Sequence, residues 1–277
     1  MNLEQSQLGK NTAYQSNYDK RLLFPIPRKL KRDELGIVEA SKLFLGFDLW
    51  NAYEVSWLNH KGKPIVRIFK FIIDAASDNI IESKSLKLYL NSFNNTKFES
   101  DDQVIKTVST DLASALAGDI KIISYKVDEY TDTLHNSFDA VTLDDIDCEI
   151  EQYQTNADLL ELDDQSTEIV TEKLSSHLLK SNCLVTNQPD WASVLIEYTG
   201  KKISHEALLK YIVSFRNHNE FHEQCVERIF SDIITHCQPE KLLVYARYTR
   251  RGGLDINPIR ANYPIDDYYK KLRLTRQ

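Results

Sequence analysis

Apolar residues recur at i, i+4 and i+7 in two stretches about 120 residues apart: Leu86, Leu90 and Phe93 in one, Leu208, Ile212 and Phe215 in the other. Each set is one stripe of an amphipathic helix. The likeness runs beyond the stripes. IESKSLKLYLNSFNN from Ile81 aligns with ISHEALLKYIVSFRN from Ile203, pairing Tyr89 with Tyr211, Ser92 with Ser214 and Asn95 with Asn217. A one-residue slip sets Phe98 against Phe221, and in the original register again Val104 meets Val226 and Ser109 meets Ser231. A second helical pattern follows in each copy, about Asp101 to Ala117 and about Glu220 to His236. The chain therefore carries a duplicated helix pair.

Strand-like segments flank each pair. Ala52 to Leu58 and Pro64 to Ile73 precede the first, and Ile120 to Val127 follows it; the β-branched and aromatic content of these runs favours a pleated surface. Cys183 to Thr186 and Ala192 to Thr199 precede the second, with Leu242 to Tyr248 and Leu254 to Ile259 after it. This order predicts an α+β protein of two modules, each an antiparallel sheet burying one face under a helix pair. The predicted layout is an N-terminal arm over 1–21, a first module over 22–127, a connector over 128–172 and a second module over 173–277. The connector stands out by charge: Val127 to Glu172 holds no Lys or Arg while Asp and Glu accumulate, which suggests a connector or extended edge, in its plainest form a solvated linker.

Composition narrows the function. With 42% hydrophobic and 27% charged residues in 277, the chain is a folded globular protein. Its apolar runs are too short for a membrane span and its N-terminus is polar, which predicts a cytoplasmic protein. A formal net charge of −7 argues against broad binding of nucleic acid. The four cysteines lie far apart with no CxxC, so neither a disulfide framework nor a zinc ribbon is indicated, and no metal is expected. Neither GxGxxG nor GxxxxGK[ST] occurs, so any nucleotide cofactor is held by other means.

The copies differ where a duplicated scaffold would specialise. Glu82, Ser83 and Lys84 open the first helix, against Ser204, His205 and Glu206 in the second copy. The second half alone carries Cys183, Asp190 and the run Phe221, His222, Glu223. A single site drawing on both halves accounts for that division. Cys183 lies in SNCLVTNQPDW, where Asn182, Asn187 and Pro189 mark turns beside a strand and a carboxylate, Asp190, follows seven residues on. A lone cysteine is more often a small buried hydrophobe, and Glu82 alone reads as an ordinary helix-start residue.

Taken together, SNCLVTNQPDW, IESKSLKLY, FHE and YTRRGGLDINP resemble the signatures of the 7-cyano-7-deazaguanine reductases, specifically the long class built of two tandem tunnelling-fold modules. The resemblance runs from about Leu22 to Leu274. It implies an oxidoreductase that converts a nitrile to an aminomethyl group in the synthesis of queuosine, a modified transfer-RNA base. Two hydrides are needed, hence two NADPH per turnover. Cys183 matches the family's nucleophile, adding to the nitrile carbon to give a thioimide, and Asp190 matches its proton donor. Glu82, with Ile81 and Ser83 beside it, matches the residue that accepts the ring N–H and exocyclic amine of the guanine-like edge. Phe221, His222 and Glu223 match residues that bind substrate. Ser83 with Lys84, and Arg251 with Gly252, match the segments that hold NADPH. The resemblance also implies a homodimer or larger homo-oligomer. The competing readings are a noncatalytic purine or pterin binder, and a hydrolase resembling GTP cyclohydrolase, which depends on zinc.

Overall fold

The computed structural model describes residues 15–184 and 186–277. In chain order β1 (Pro25–Pro27) leads into α1 (Arg28–Glu34) and α2 (Ala40–Leu43). The long strands β2 (Leu45–Leu58) and β3 (Pro64–Asp74) follow, then β4 (Asn79–Ile81), α3 (Ser83–Asn91), α4 (Asp101–Leu116) and β5 (Ile120–Tyr125). Short strands β6 (Thr133–His135) and β7 (Val141–Thr142) precede β8 (Ile169–Ser176), β9 (Lys180–Asn182) and β10 (Pro189–Lys201). Helices α5 (His205–Ser214) and α6 (His222–Cys237) come next, then β11 (Lys241–Tyr248), β12 (Leu254–Ala261) and β13 (Leu272–Leu274).

Two compact units emerge: 15–31, 48–131 and 250–255 in the first, 32–47, 132–249 and 256–277 in the second. They differ from the expected consecutive stretches, because two of the boundaries fall inside strands β2 and β12 rather than in a linker.

In the first unit β3 lies between β2 and β5, pairing antiparallel with β5 from Ile68↔Tyr125 to Ile73↔Ile120. Helix α4 packs on β5 and β4 through Val104, Val108, Leu112 and Leu116, all buried. Burying a side chain of this kind contributes roughly 1.5–3 kcal/mol. Ser100 starts the helix by accepting the Gln103 N–H at 3.2 Å, and Ala117 in the left-handed region (φ 47°) ends it. Of the expected N-terminal arm, residues 1–14 lie outside the described residues. From there Tyr18 packs edge-on against Tyr89 and Phe93, with its hydroxyl 2.6 Å from Asp111.

In the second unit the strand order is β12-β11-β10-β8-β7, with β9 paired to β10. Helix α6 covers β11, burying Cys225, Val226, Ile229, Phe230 and Ile233. Glu227 on the same helix takes two guanidinium groups, Arg32 at 2.7 Å and Arg260 at 2.8 Å, so its buried charge is paired twice.

The duplication read from sequence persists in the hydrogen bonds. Tyr89 donates to Asp111 at 2.7 Å and Tyr211 to Asp232 at 2.6 Å; Ser92 and Ser214 each bond back to the carbonyl of that tyrosine at 2.6 Å. The acidic connector, in contrast, is no solvated linker. Phe138, Leu143 and Leu160 are buried, β6 pairs with β13, β7 pairs with β8, and Asp144 accepts from Ser176 and from the His177 N–H. The expected strand over Cys183 to Thr186 is also corrected. The strand ends at Asn182; Cys183 is outside it, Leu184 and Thr186 are in a turn, and Val185 lies outside the described residues.

Candidate active site

Within the second unit, β9 and β10 form a hairpin whose register sets Asn182 against Pro189 and Ser181 against Asp190. Cys183 adds one more rung, its N–H bonding the Gln188 carbonyl at 2.8 Å, and the Asn187 N–H returns to the Cys183 carbonyl at 3.0 Å. Asn187 closes this turn in the left-handed region (φ 55°), which asparagine tolerates better than most residues. Asn219 ties the hairpin down by bonding the side chains of both Asn182 and Asn187. The sulfur-bearing residue thus sits at a braced loop base, half-buried, while Asp190 is buried at 4% exposure.

Asp190 and His222 come together from separate elements. His222, first residue of α6, places Nε2 3.4 Å from Asp190 Oδ2. The His222 ring lies flat on the buried Tyr248, with centroids 3.7 Å apart and planes 5° from parallel. Lys180 stands nearby, donating to Asn182 at 2.7 Å and to the Arg216 carbonyl at 2.6 Å. Burial, and then the Arg216 charge, push its ammonium below the ordinary lysine range, while Asp190 works the other way. Phe221 precedes the helix at its N-cap, and Glu223 is buried just inside. Glu220, one residue earlier, accepts from Arg228 at 2.9 Å and pairs with His218 at 3.0 Å. Burial works against its anion, yet those hydrogen bonds and the Arg228 charge outweigh it and hold the carboxyl at about 2.

Within the first unit Ile81, Glu82, Ser83 and Lys84 form the β4–α3 junction. Glu82 is fully buried and serves as the N-cap of α3: one carboxylate oxygen accepts the Lys84 N–H at 2.7 Å, the other the Ser85 N–H at 2.8 Å. Burial pushes its carboxyl above the ordinary range, and the two backbone N–H groups pull it back. The ordinary helix-start role is therefore present here, and spare lone pairs on the same oxygens leave room for further donors.

The same unit contains the basic turn. Arg251 and Leu254 exchange backbone hydrogen bonds of 2.8 and 3.1 Å across Gly252 and Gly253, both at positive φ (58° and 79°). A Cβ on Gly252 would lie 2.6 Å from Lys87 Nζ, and one on Gly253 would lie 2.5 Å from the Glu54 carboxylate. The positive φ is what favours glycine at both positions, since the tips of Lys87 and Glu54 are flexible and can move aside. The contact brings α3, which carries Ser83 and Lys84, against the turn that carries Arg251 and Gly252. Cationic side chains beside exposed glycine backbone form a donor set suited to phosphate, so these residues fit a phosphorylated dinucleotide. Arg250 lies over the Tyr53 ring at 4.8 Å. Among the described residues no group of three His, Cys, Asp or Glu is placed to hold a metal ion.

Sequence reasoning missed Tyr248, Asn219 and Lys180 in the second unit and Lys87 in the first; strand register places Tyr248 and Lys180, side-chain hydrogen bonds place Asn219, and a glycine contact places Lys87, none of which local spacing encodes. No helix of the described residues is long and apolar enough to cross a membrane.

Residues 14–123 match the family described as nitrile reductase, 7-cyano-7-deazaguanine-reductase N-term, and residues 189–265 match the family described as QueF-like protein. The NADPH-dependent 7-cyano-7-deazaguanine reductase of Hydrogenovibrio crunogenus is 55% identical over 274 residues, covering 99% of this chain and 97% of its own. Its namesake in Legionella pneumophila strain Lens is 53% identical, covering 99% and 95%. Among solved structures, the apo archaeosine synthase QueF-Like aligns with 36% of this chain at 17% identity and a TM-score of 0.31, a likeness too slight to bear on the fold.

Proposed function

This chain belongs to the 7-cyano-7-deazaguanine reductase family, and from that premise we propose how its residues divide the chemistry of a nitrile reduction. It is an NADPH-dependent oxidoreductase that reduces 7-cyano-7-deazaguanine in queuosine biosynthesis. In this reading the two α+β modules are tunnelling folds, the protein is cytoplasmic, and it works as a homodimer or higher homo-oligomer. Sedimentation equilibrium of the purified chain checks the last point.

Cys183 is the nucleophile. Its sulfur bonds to the nitrile carbon as one C–N π bond opens, and the nitrogen takes a proton from Asp190, leaving a thioimide on the cysteine. NADPH, when bound, supplies one hydride to the thioimide carbon and a second after the C–S bond breaks and returns the sulfur to Cys183. A nitrogen proton accompanies each reduction. His222 stands beside Asp190 to hold and replenish it, and Phe221 shields the thioimide from hydrolysis by water. Glu82 accepts the ring N–H and exocyclic amine of the base with Ile81 and Ser83 around it, and Glu223 anchors the base from α6. Lys84, Ser83, Arg251 and Gly252 hold the cofactor phosphates.

The observation that carries this assignment is the β9–β10 hairpin. Its rungs bring Cys183 to the base of the loop whose other side is the buried Asp190, already paired with His222. The test is absorbance of reduced nicotinamide during turnover: two NADPH should be consumed per nitrile base, and none by Cys183→Ala. A chain that binds the base and consumes no cofactor would be a binding module instead.

A further inference from the structure

Imidazole rings in active sites are usually fixed by a hydrogen bond from the second ring nitrogen to a carbonyl or carboxylate. His222 has no such brace among the described residues: its Nδ1 is buried without a hydrogen-bond partner, while Nε2 faces Asp190. What touches the ring instead is Tyr248, parallel to within 5° at 3.7 Å, nearer than the 4.5–7 Å of ordinary aromatic pairs.

Tyr248 is itself held from several sides. It stands opposite Ala192 in the β10–β11 ladder, so its side chain shares a sheet face with Asp190, two residues before Ala192. Its N–H donates to Asn257 at 3.2 Å, its carbonyl accepts from Gln277 at 3.1 Å, and the next N–H, of Thr249, bonds the Trp191 carbonyl at 2.8 Å. The phenol is fully buried beside Ser181 and Cys225. Burial pushes both the phenol and the Cys225 thiol far up, so both stay protonated and the surface beneath the imidazole is uncharged.

We propose that Tyr248 is a positioning residue for the nitrile reduction: its ring fixes the plane of His222 so that Nε2 stays aimed at Asp190 through both hydride steps. The proposal rests on the roles given above to Asp190 and His222. It assigns the work to the flat ring face and none to the hydroxyl, which is buried beside Ser181 and Cys225.

The experiment uses the full chain with NADPH and the nitrile base. Tyr248→Phe keeps the face and should hold kcat within about twofold of the parent. Tyr248→Leu removes it and should lower kcat by about 10- to 100-fold, with KM for the nitrile base little changed. Mass spectrometry without NADPH should still show Tyr248→Leu reaching full adduct stoichiometry on Cys183, but slowly. A tyrosine with only a structural role would do the reverse, reducing the fraction of chains that form adduct while each competent site turns over at the parent rate. That result overturns the proposal, as does a Tyr248→Phe variant as slow as Tyr248→Leu. Should the leucine variant fail to fold, Tyr248→Met, which fills the space without a flat face, takes its place under the same criteria. If Asp190→Asn runs at the parent rate, the underlying chemistry falls. If Asp190→Asn is inactive and Tyr248→Leu runs at the parent rate, only the positioning role falls.

Discussion

Replacing Glu82 by Gln separates the two roles that this carboxylate is asked to play. As a cap it gives one oxygen each to the Lys84 and Ser85 N–H groups, at 2.7 and 2.8 Å. Glutamine keeps one of these bonds and turns an NH₂ toward the other donor. Hydrogen bonds to charged groups contribute roughly 1.5–3 kcal/mol each, but relief of the charge buried at this position offsets part of the loss, so the fold should give up only about 0–2 kcal/mol. For the ligand the arithmetic differs. A guanine-like edge brings two donors, and the amide meets one of them with a donor of its own while losing the charge on both contacts. The combined loss is about 3–4 kcal/mol, or roughly two to three powers of ten in affinity. Titration calorimetry in a Cys183→Ala background, which prevents adduct formation, measures this as Kd, with thermal unfolding run alongside. The expected result is Kd weakened by about 10²- to 10³-fold with a shift of a few degrees in Tm. A lowered Tm with Kd unchanged would mean that Glu82 caps its helix and does not recognise the base.

Arg251→Ala should raise KM for NADPH well beyond its effect on KM for the nitrile base; equal effects would remove the residue from the cofactor site. Acid stability should depend on Glu220. Its carboxyl sits below the unfolded value of 4.5, at about 2, so its contribution is complete above pH 4.5 and is lost as pH falls toward 2. By that shift the contribution is at most about 3 kcal/mol. Thermal melts of Glu220→Gln across that window should be flatter with pH than those of the parent, and parallel curves would refute the pairing. Gln277→Ala removes four hydrogen bonds, from its amide to Tyr248 and Asn257 and to its oxygen from Arg247 and Leu274. Buried groups left unpaired cost about 1–3 kcal/mol each, so a clear fall in the urea midpoint is expected, and an unchanged midpoint would mean that water replaces the amide.

What the sequence made legible was the part governed by local period. The stripes Leu86, Leu90, Phe93 and Leu208, Ile212, Phe215 place the helix pairs because burial of one helical face imposes a spacing of three to four residues. Motif positions marked the Glu82 and Asp190 neighbourhoods because a turn, a cap and a strand start each leave a local residue signature. The connector was misread for a physical reason. Phe138, Leu143 and Leu160 bury themselves singly, with no period, among carboxylates that dominate any average. Strand β8 was partly absorbed into that acidic stretch for the same cause. The run after Asn182 was read as strand from its apolar and β-branched composition, whereas a left-handed Asn187 and the Cys183 to Gln188 bond turn the chain there. Tyr248 under His222 was beyond reach of sequence, since it depends on the register of β10 against β11, a non-local quantity.

The most direct measurement is intact and peptide-level mass spectrometry of the chain after incubation with 7-cyano-7-deazaguanine and no NADPH. The mass of one nitrile base should appear per chain, located on the peptide bearing Cys183, disappear in Cys183→Ala, and be discharged as amine when NADPH is added. Label on another residue, or a Cys183→Ala variant that reduces the nitrile at the parent rate, would contradict the account.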